Sequence, residues 1–202
     1  MFRGLFPQTT SLSRMILGVD PGFASCGYAL LQPLKGLEEG GSRPVFIAAG
    51  VIRTTKTTKK IPLWEDNASR TQDIYAHLKR VAETHKTLLL SIEAESWTRM
   101  PSDKLVGMAR GAIYSLAFEI GAGIEQYSPK ETKKEFCGSG SASKVELEKE
   151  ILDLHPELLP FLTRLPKTQR AHAADAAACA LISYRKSNHV RSILRAINLG
   201  FS

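Results

Sequence analysis

MILGVDPGFASCGYALL, running from Met15 to Leu31, is the stretch on which the reading of this chain turns. Its first six residues form an apolar run that ends on Asp20 and is stopped by Pro21-Gly22, and a second apolar run, Cys26 to Leu31, follows after a tight connection. Two short apolar runs joined through a Pro-Gly break read as a β-hairpin. An ionised carboxylate left unpaired against a core costs on the order of several kcal/mol, out of a total stability of roughly 5–15 kcal/mol. Asp20 therefore serves either the turn, which Asp, Pro and Gly all favour, or a site that needs a carboxylate there.

Working outward, Lys35 to Pro44 is rich in Gly and Glu and reads as a loop, with Val45 to Ile52 (VFIAAGVI) as a third strand. Thr54 to Lys60 (TTKTTKK) is polar and basic, and Asn67 is the expected cap of a helix whose apolar positions Ile74, Leu78 and Val81 recur at helical spacing. Leu88 to Ile92 (LLLSI) is a compact strand run ending at Glu93, and Ser102 to Ile120 places Leu105, Ala109, Ala112 and Leu116 on one helical face. Ile124 to Tyr127 is a further strand before Pro129. Ser143-x-x-Glu146 is a capping box opening a helix that ends near His155-Pro156, and Ala171 to Tyr184 is an alanine-dense helix able to approach a sheet closely. The expected fold is α/β: a central mixed five-stranded sheet, its first three strands antiparallel, with helices on both faces.

The 202 residues and 43% hydrophobic content suit one substantial core, expected over residues 15–186. A formal charge of +7, from 27 Lys and Arg against 20 Asp and Glu, favours a polyanionic partner, nucleic acid ahead of acidic membrane. Cys26, Cys137 and Cys179 fit neither a disulfide framework nor a zinc knuckle. No apolar run approaches the roughly 20 residues of a membrane span and no signal-peptide core is present, so a cytoplasmic protein is expected. Residues 1–14 carry Arg, Ser and Thr but no acid, which suits a disordered extension and also an organelle transit segment. The tail from 187 to 202 sets His189, Arg191 and Arg195 among Val190, Ile193, Leu194 and Ile197, the pattern of an amphipathic helix packed on the domain or a partner chain.

In a sheet of this kind the first strand lies centrally, and carboxylates at the C-terminal ends of neighbouring strands face one crevice; Asp20 and Glu93 both occupy such ends. His172 and Asp175, spaced i, i+3, share one face of the last helix and can approach the same point. Each has a plainer explanation: Glu93 as a solvated strand end with Glu95 the functional acid, His172 and Asp175 as residues interacting with a helix dipole. Taken together they form a set of hard oxygen donors with one imidazole, which suits Mg²⁺ or Mn²⁺ better than zinc.

Six ordered segments, MILGVDPGFASCGYALL from Met15, LSIE ending at Glu93, GMARG from Gly107, YSPKETK from Tyr127, GSGSASK ending at Lys144 and HAADAA from His172, together resemble the RuvC-type Holliday junction resolvases. The resemblance covers residues 15–186. It implies an RNase H-like fold, a homodimer, and Mg²⁺-dependent nicking of four-way junction DNA that leaves 5′-phosphate and 3′-hydroxyl ends. Asp20, Glu93 and Asp175 then match the catalytic carboxylates, and His172 falls where many members carry a fourth Asp and some carry His. Two cations about 4 Å apart would be held by Asp20, Glu93, His172 and Asp175, with Mn²⁺ able to substitute. His172 serves as a ligand or as a proton carrier.

Lys133 and Lys144 fall where the family places basic residues near the scissile phosphate. Lys144 is the more telling, because a cation in the first turn of a helix opposes its dipole. Trp97 stands one residue beyond the position of the family's junction-stacking aromatic, so a stacking role and an ordinary packed Trp both remain open. Arg99, Lys56, Lys59, Lys60 and Lys130 are candidates for backbone contact. A branch-migration helicase is a further partner that the resemblance raises. The rivals are another RNase H-like nuclease acting on branched DNA or RNA–DNA hybrids, and an inactive junction-binding protein. An actin-like ATPase also opens on a GVDPG-type turn, but needs two such domains and a longer chain.

Overall fold

The computed structural model describes residues 14–35, 43–94 and 102–192. Strand β1 (Met15–Asp20) is buried along its whole length. With β2 (Ser25–Lys35), β3 (Arg43–Arg53), β4 (Thr87–Glu93) and β5 (Gly123–Tyr127) it forms one five-stranded sheet in the order β3-β2-β1-β4-β5. The β1–β2 and β2–β3 pairs are antiparallel, whereas β1–β4 and β4–β5 are parallel. The expected mixed sheet is observed, with β1 at its centre.

Parallel neighbours require long crossovers, which helices α1 (Leu63–Thr84) and α2 (Ser102–Ile120) supply. Because side chains alternate across a strand, Leu17 and Val19 of β1 point to one face, where they pack with Ile74 and Leu78 of α1 and Ile113 and Leu116 of α2. Ile16 points to the other face, against Ala177 and Leu181 of α6 (Lys167–Lys186) and Leu147 and Ile151 of α4 (Lys144–Leu154). Asp20 is in phase with Ile16 and so lies on the α6 side, at the strand's end.

Helix α6 comes closer to the sheet than ordinary side chains would allow. A Cβ on Gly18 would stand 1.9 Å from the carbonyl oxygen of Ala176, and one on Gly27 would stand 2.1 Å from that of His172. The two glycines and the alanines opposite them let the helix backbone rest on β1 and β2, which carries His172 to the level of Asp20, whose strand partner is Gly27. Helix α6 runs back over the sheet from that edge, so its first residues overhang the C-terminal ends of β1 and β4.

Several boundaries differ from expectation. Strands β2 and β3 extend further into the loop between them than the Gly-Glu composition suggested. Helix α1 begins four residues before Asn67, after Pro62; Asp66 accepts the Thr57 amide at 2.8 Å, fastening the preceding loop, and Glu65 and Asp66 suit the positive end of the helix. Helix α6 begins at Lys167 rather than Ala171. The capping box at Ser143 and Glu146 forms as expected, and a second one, Ser128 with Glu131, opens α3 (Pro129–Cys137), which the reading of Pro129 as a break passed over. A 3₁₀ turn (Pro156–Leu158) and the short α5 (Leu159–Thr163) complete the chain up to α6.

Beyond α6, residues 188–192 are helical and Val190 is buried in the α6-side core, in line with packing of the tail on the domain. Residues 1–13, Glu95, Trp97, Arg99, Ile193, Leu194, Arg195 and Ile197 lie outside the described residues. Cys26, Cys137 and Cys179 are free thiols. Among the described residues, no helix is long and apolar enough to cross a membrane.

Candidate active site

The parallel register Val19↔Ile92 sets Asp20 and Glu93 side by side at the C-terminal edge of the sheet. Helix α6 adds His172 and Asp175 from above, and the first residue of α4 adds Lys144. His172 Nδ1 lies 2.6 Å from Asp20 Oδ2, and Lys144 Nζ donates to Asp175 Oδ2 at 2.6 Å. A crevice of about 160 Å³ opens here, lined by Glu93, Asp175, Lys144 and Lys133, with Thr132, Pro129, Leu147 and Cys179 forming the rest of its wall. The four ligand-type residues and both lysines expected near the scissile phosphate are thus brought to one place from β1, β4, α3, α4 and α6.

Electrostatics sorts the acids into two kinds. Burial, and then the negative charges of Asp20 and Asp175, push the Glu93 carboxyl up to about 8, with Lys144 opposing. Asp175, only 5% exposed, is also held above its ordinary value by burial, which outweighs the bond from Lys144. The hydrogen bond to Asp20 raises His172 above its ordinary value, against the opposing effect of burial. Burial lowers Lys144, but its bond to Asp175 outweighs this and the ammonium stands above its usual value. Asp20 faces the His172 imidazole and Asp175 the Lys144 ammonium, whereas Glu93 faces two like charges.

Among the described residues, no three His, Cys, Asp or Glu side chains are already drawn into a closed ligand shell. The pairing explains this, since Asp20 is turned to His172 and Asp175 to Lys144. The donor set nonetheless fits a hard divalent cation: three carboxylates converge in a half-buried crevice, and the proton retained by Glu93 marks an excess of negative charge that a cation would relieve.

Arg110 is a contributor that the sequence reading did not single out. It is buried on α2 and its guanidinium donates to the main-chain oxygen of Glu93, fixing the end of β4. The signal was present, since an arginine sits between the core positions Ala109 and Ile113 of an otherwise apolar helix face. On the other side of β4, Ala94 N–H donates to the Tyr127 carbonyl at 2.8 Å, extending the β4–β5 ladder just past Glu93.

The remaining basic candidates are more dispersed. Lys130 is exposed and does not line the crevice. Lys56, Lys59 and Lys60 are exposed on the segment that leaves β3; the pairing of Arg53 with Ser25 sets this segment at the same sheet edge as Asp20.

The model of the family described as crossover junction endodeoxyribonuclease RuvC matches residues 16–183. This chain belongs to the RuvC family. A RuvC from Heliobacterium modesticaldum is 32% identical over 168 residues, covering 83% of this chain and 91% of its own, and one from Salinibacter ruber is 31% identical, covering 87% of each. Among solved structures, RuvC of Thermus thermophilus, known alone and in complex with a Holliday junction substrate, superposes with a TM-score of 0.64 at 25% identity, over 83% of this chain and 91% of its own. The yeast mitochondrial resolvase Ydc2 shares the fold, with a TM-score of 0.59 at 17% identity, over 92% of this chain and 86% of its own. The sheet and its helices are therefore an RNase H-like arrangement, and the RuvC family to which the crevice belongs is one of metal-dependent nucleases.

Proposed function

We propose that this chain resolves Holliday junctions by paired, symmetric hydrolysis of two phosphodiester bonds, leaving 5′-phosphate and 3′-hydroxyl ends, in DNA recombination and repair. The observation that carries the proposal is the convergence of Asp20, Glu93 and Asp175 from two neighbouring parallel strands and one helix onto a crevice with Lys144 and Lys133, in a chain matched by RuvC over residues 16–183. Asp20, Glu93, His172 and Asp175 would hold two Mg²⁺ ions, with Mn²⁺ as a substitute. Bound there, the ions supply Lewis acidity towards the phosphate and lower the pKa of an attacking water.

The chain's own residues do the rest. Glu93 and Asp175 sit where the backbone and core walls limit access of bulk solvent, which strengthens every charge interaction in the crevice. Lys144 is fixed by its bond to Asp175 at the wall of the crevice, ready to take a phosphate oxygen when the carboxylate is otherwise neutralised. Lys133 lines the same wall and adds a second positive charge opposite a pentacoordinate phosphate. His172 keeps Asp20 oriented through a 2.6 Å hydrogen bond and carries a proton that it can release as the site gains positive charge.

Two cuts related by a dyad call for two such sites, which a C₂ homodimer supplies. The exposed face of α2 suits a second copy: Phe118 is 90% exposed there, and Gly107 and Gly111 on the same face have open space above them. The test is to offer a synthetic four-way junction, a replication fork and an RNA–DNA hybrid with Mg²⁺ and map the cuts. Symmetric nicks in the junction alone are expected. Preferential cutting of the hybrid would give the assignment to the rival RNase H-like activity.

A further inference from the structure

Among the described residues, Trp64 is the largest apolar side chain left exposed to solvent. It is 71% exposed in the first turn of α1, and Leu63 beside it is 63% exposed. Tryptophan buries as much as 150–250 Å² when packed, so leaving one uncovered forgoes a large hydrophobic gain. Its surroundings are not those of an apolar docking groove. The segment that leads into α1 is TTKTTKK, with Lys56, Lys59 and Lys60 all exposed, and Arg53 is exposed at the end of β3.

Hydrogen bonds fix this segment with respect to the carboxylate crevice. Thr54 Oγ1 donates to the Phe23 carbonyl at 2.6 Å and the Thr54 amide donates to the Ala24 carbonyl at 3.2 Å, both in the turn that follows Asp20. Arg70 of α1 donates to Thr54 Oγ1 at 3.0 Å and lies 4.3 Å over the Phe23 ring. The Thr57 amide bonds to Asp66 at 2.8 Å, and the Lys59 amide to Thr57 Oγ1 at 3.2 Å, which holds the lysines against the start of α1. Trp64 precedes Arg70 by six residues and so lies about 9 Å nearer the start of a helix rising 1.5 Å per residue. DNA engaged at Asp20 needs less than one duplex turn, roughly 34 Å, to reach it.

We propose that Trp64, with Leu63 at its side and Lys56, Lys59 and Lys60 around it, is a second DNA contact, where an unpaired or distorted base of the junction stacks on the indole while the lysines take the flanking phosphates. Charge complementarity selects this occupant over a protein surface: between residues 53 and 66 Arg53 and the three lysines are exposed with one exposed acid, Glu65, because Asp66 is engaged by the Thr57 amide and paired with Arg70 at 3.8 Å. A base has an apolar face and a charged backbone, and base–aromatic stacking tolerates any base because every base has a π-face. The site is separate from the crevice lysines, and the inference rests on the junction-resolving reading given above.

Binding of a labelled four-way junction by the full chain, measured without divalent metal over a salt series, tests it. Trp64→Ala should weaken binding about tenfold, some 1.4 kcal/mol, with the slope of log K against log salt unchanged, and Trp64→Phe should restore most of the loss. Lys59→Ala with Lys60→Ala should reduce that slope by about one per lysine. The chain has two tryptophans, so in Trp97→Phe protein the remaining indole emission should be quenched by the junction. Wild-type affinity in Trp64→Ala, absence of quenching, or conversion of a dimer to a monomer by Trp64→Ala in sedimentation each overturns the site. A wild-type chain that cuts the junction normally while Trp64→Ala binds it equally well removes this site alone; one that neither binds nor cuts it removes the functional reading as well.

Discussion

Replacing Glu93 with Gln should stabilise the metal-free protein in alkaline solution while abolishing its nuclease activity. Glu93 retains its proton to about pH 8 in the folded chain, against an ordinary value of 4.5. Between those limits the folded state binds more protons than the unfolded state, so folding stability falls as pH rises through the interval. At 1.36 kcal/mol per pH unit the gap sets a ceiling of about 5 kcal/mol. Glu93 is only partly buried, and screening by the water that does reach it should leave about half of that, roughly 2–3 kcal/mol. Glutamine keeps the shape without the charge and escapes the loss. At about 2–4 °C per kcal/mol for a chain of this size, Glu93→Gln should melt with the wild type at pH 5 and about 5–10 °C above it at pH 8.5.

The assay is thermal unfolding in EDTA from pH 5 to 9, repeated with saturating Mg²⁺. Ligand at 100 times its dissociation constant adds about 2.7 kcal/mol to the state that binds it, so Mg²⁺ should lift the wild type and erase the advantage of the variant. Two stability curves that run parallel across the pH range in EDTA would refute the reasoning, because Glu93 would then not be the acid whose ionisation opposes folding.

Asp20→Asn should reduce junction nicking in Mg²⁺ by at least about 10³-fold, some 4 kcal/mol of transition-state stabilisation, with junction binding in EDTA retained; single-turnover rates within tenfold of wild type would reject the catalytic assignment. Lys144→Met removes a cation whose side chain is 57% exposed, so the melting temperature should move by no more than about 1 kcal/mol equivalent while the nicking rate at saturating junction falls about 10²-fold. Gly18→Ala places a methyl 1.9 Å from the Ala176 carbonyl and 2.8 Å from the Ala180 amide, and should cost about 3 kcal/mol by forcing α6 off the sheet, read as a lower urea midpoint together with lost nicking. His172→Asp replaces the imidazole beside Asp20 with a fourth carboxylate and should lower the Mg²⁺ concentration needed for half-maximal nicking; a higher requirement would speak against a gain from added negative charge at that position.

How much of this was written in the sequence depends on the range of the interactions involved. The hairpin, the compact β4 and the Ser143 capping box are set by neighbours a few residues apart, and all three formed where local patterns put them. The start of α1 was missed because Asp66 is tied to Thr57 from outside the helix, a contact that favours Pro62 as the boundary over the better intrinsic cap at Asn67. The start of α6 was missed because Lys167 to Arg170 lack an apolar stripe, and the helix there is carried by the part already seated on Gly18 and Gly27. Helix α3 was legible from its own capping box, Ser128 with Glu131, had the proline at its first position been taken as an initiator.

The site shows the same division between composition and geometry. Which residue types would converge could be read from the ends of apolar runs, because an acid placed there is costly unless something offsets it. What offsets it could not be read, since His172 lies 152 positions from Asp20 and Lys144 lies 31 from Asp175, and only the resting of α6 on the sheet glycines brings each cation within 2.6 Å of its acid. That arrangement neutralises two carboxylates from within the chain and leaves Glu93 to hold a proton instead. A divalent cation entering the crevice therefore competes with the imidazole for Asp20, with the ammonium for Asp175 and with a proton for Glu93. Metal binding releases the Glu93 proton, so affinity for metal should rise with pH, and the Lys144 ammonium released from Asp175 becomes available to a phosphate at the moment the metal arrives.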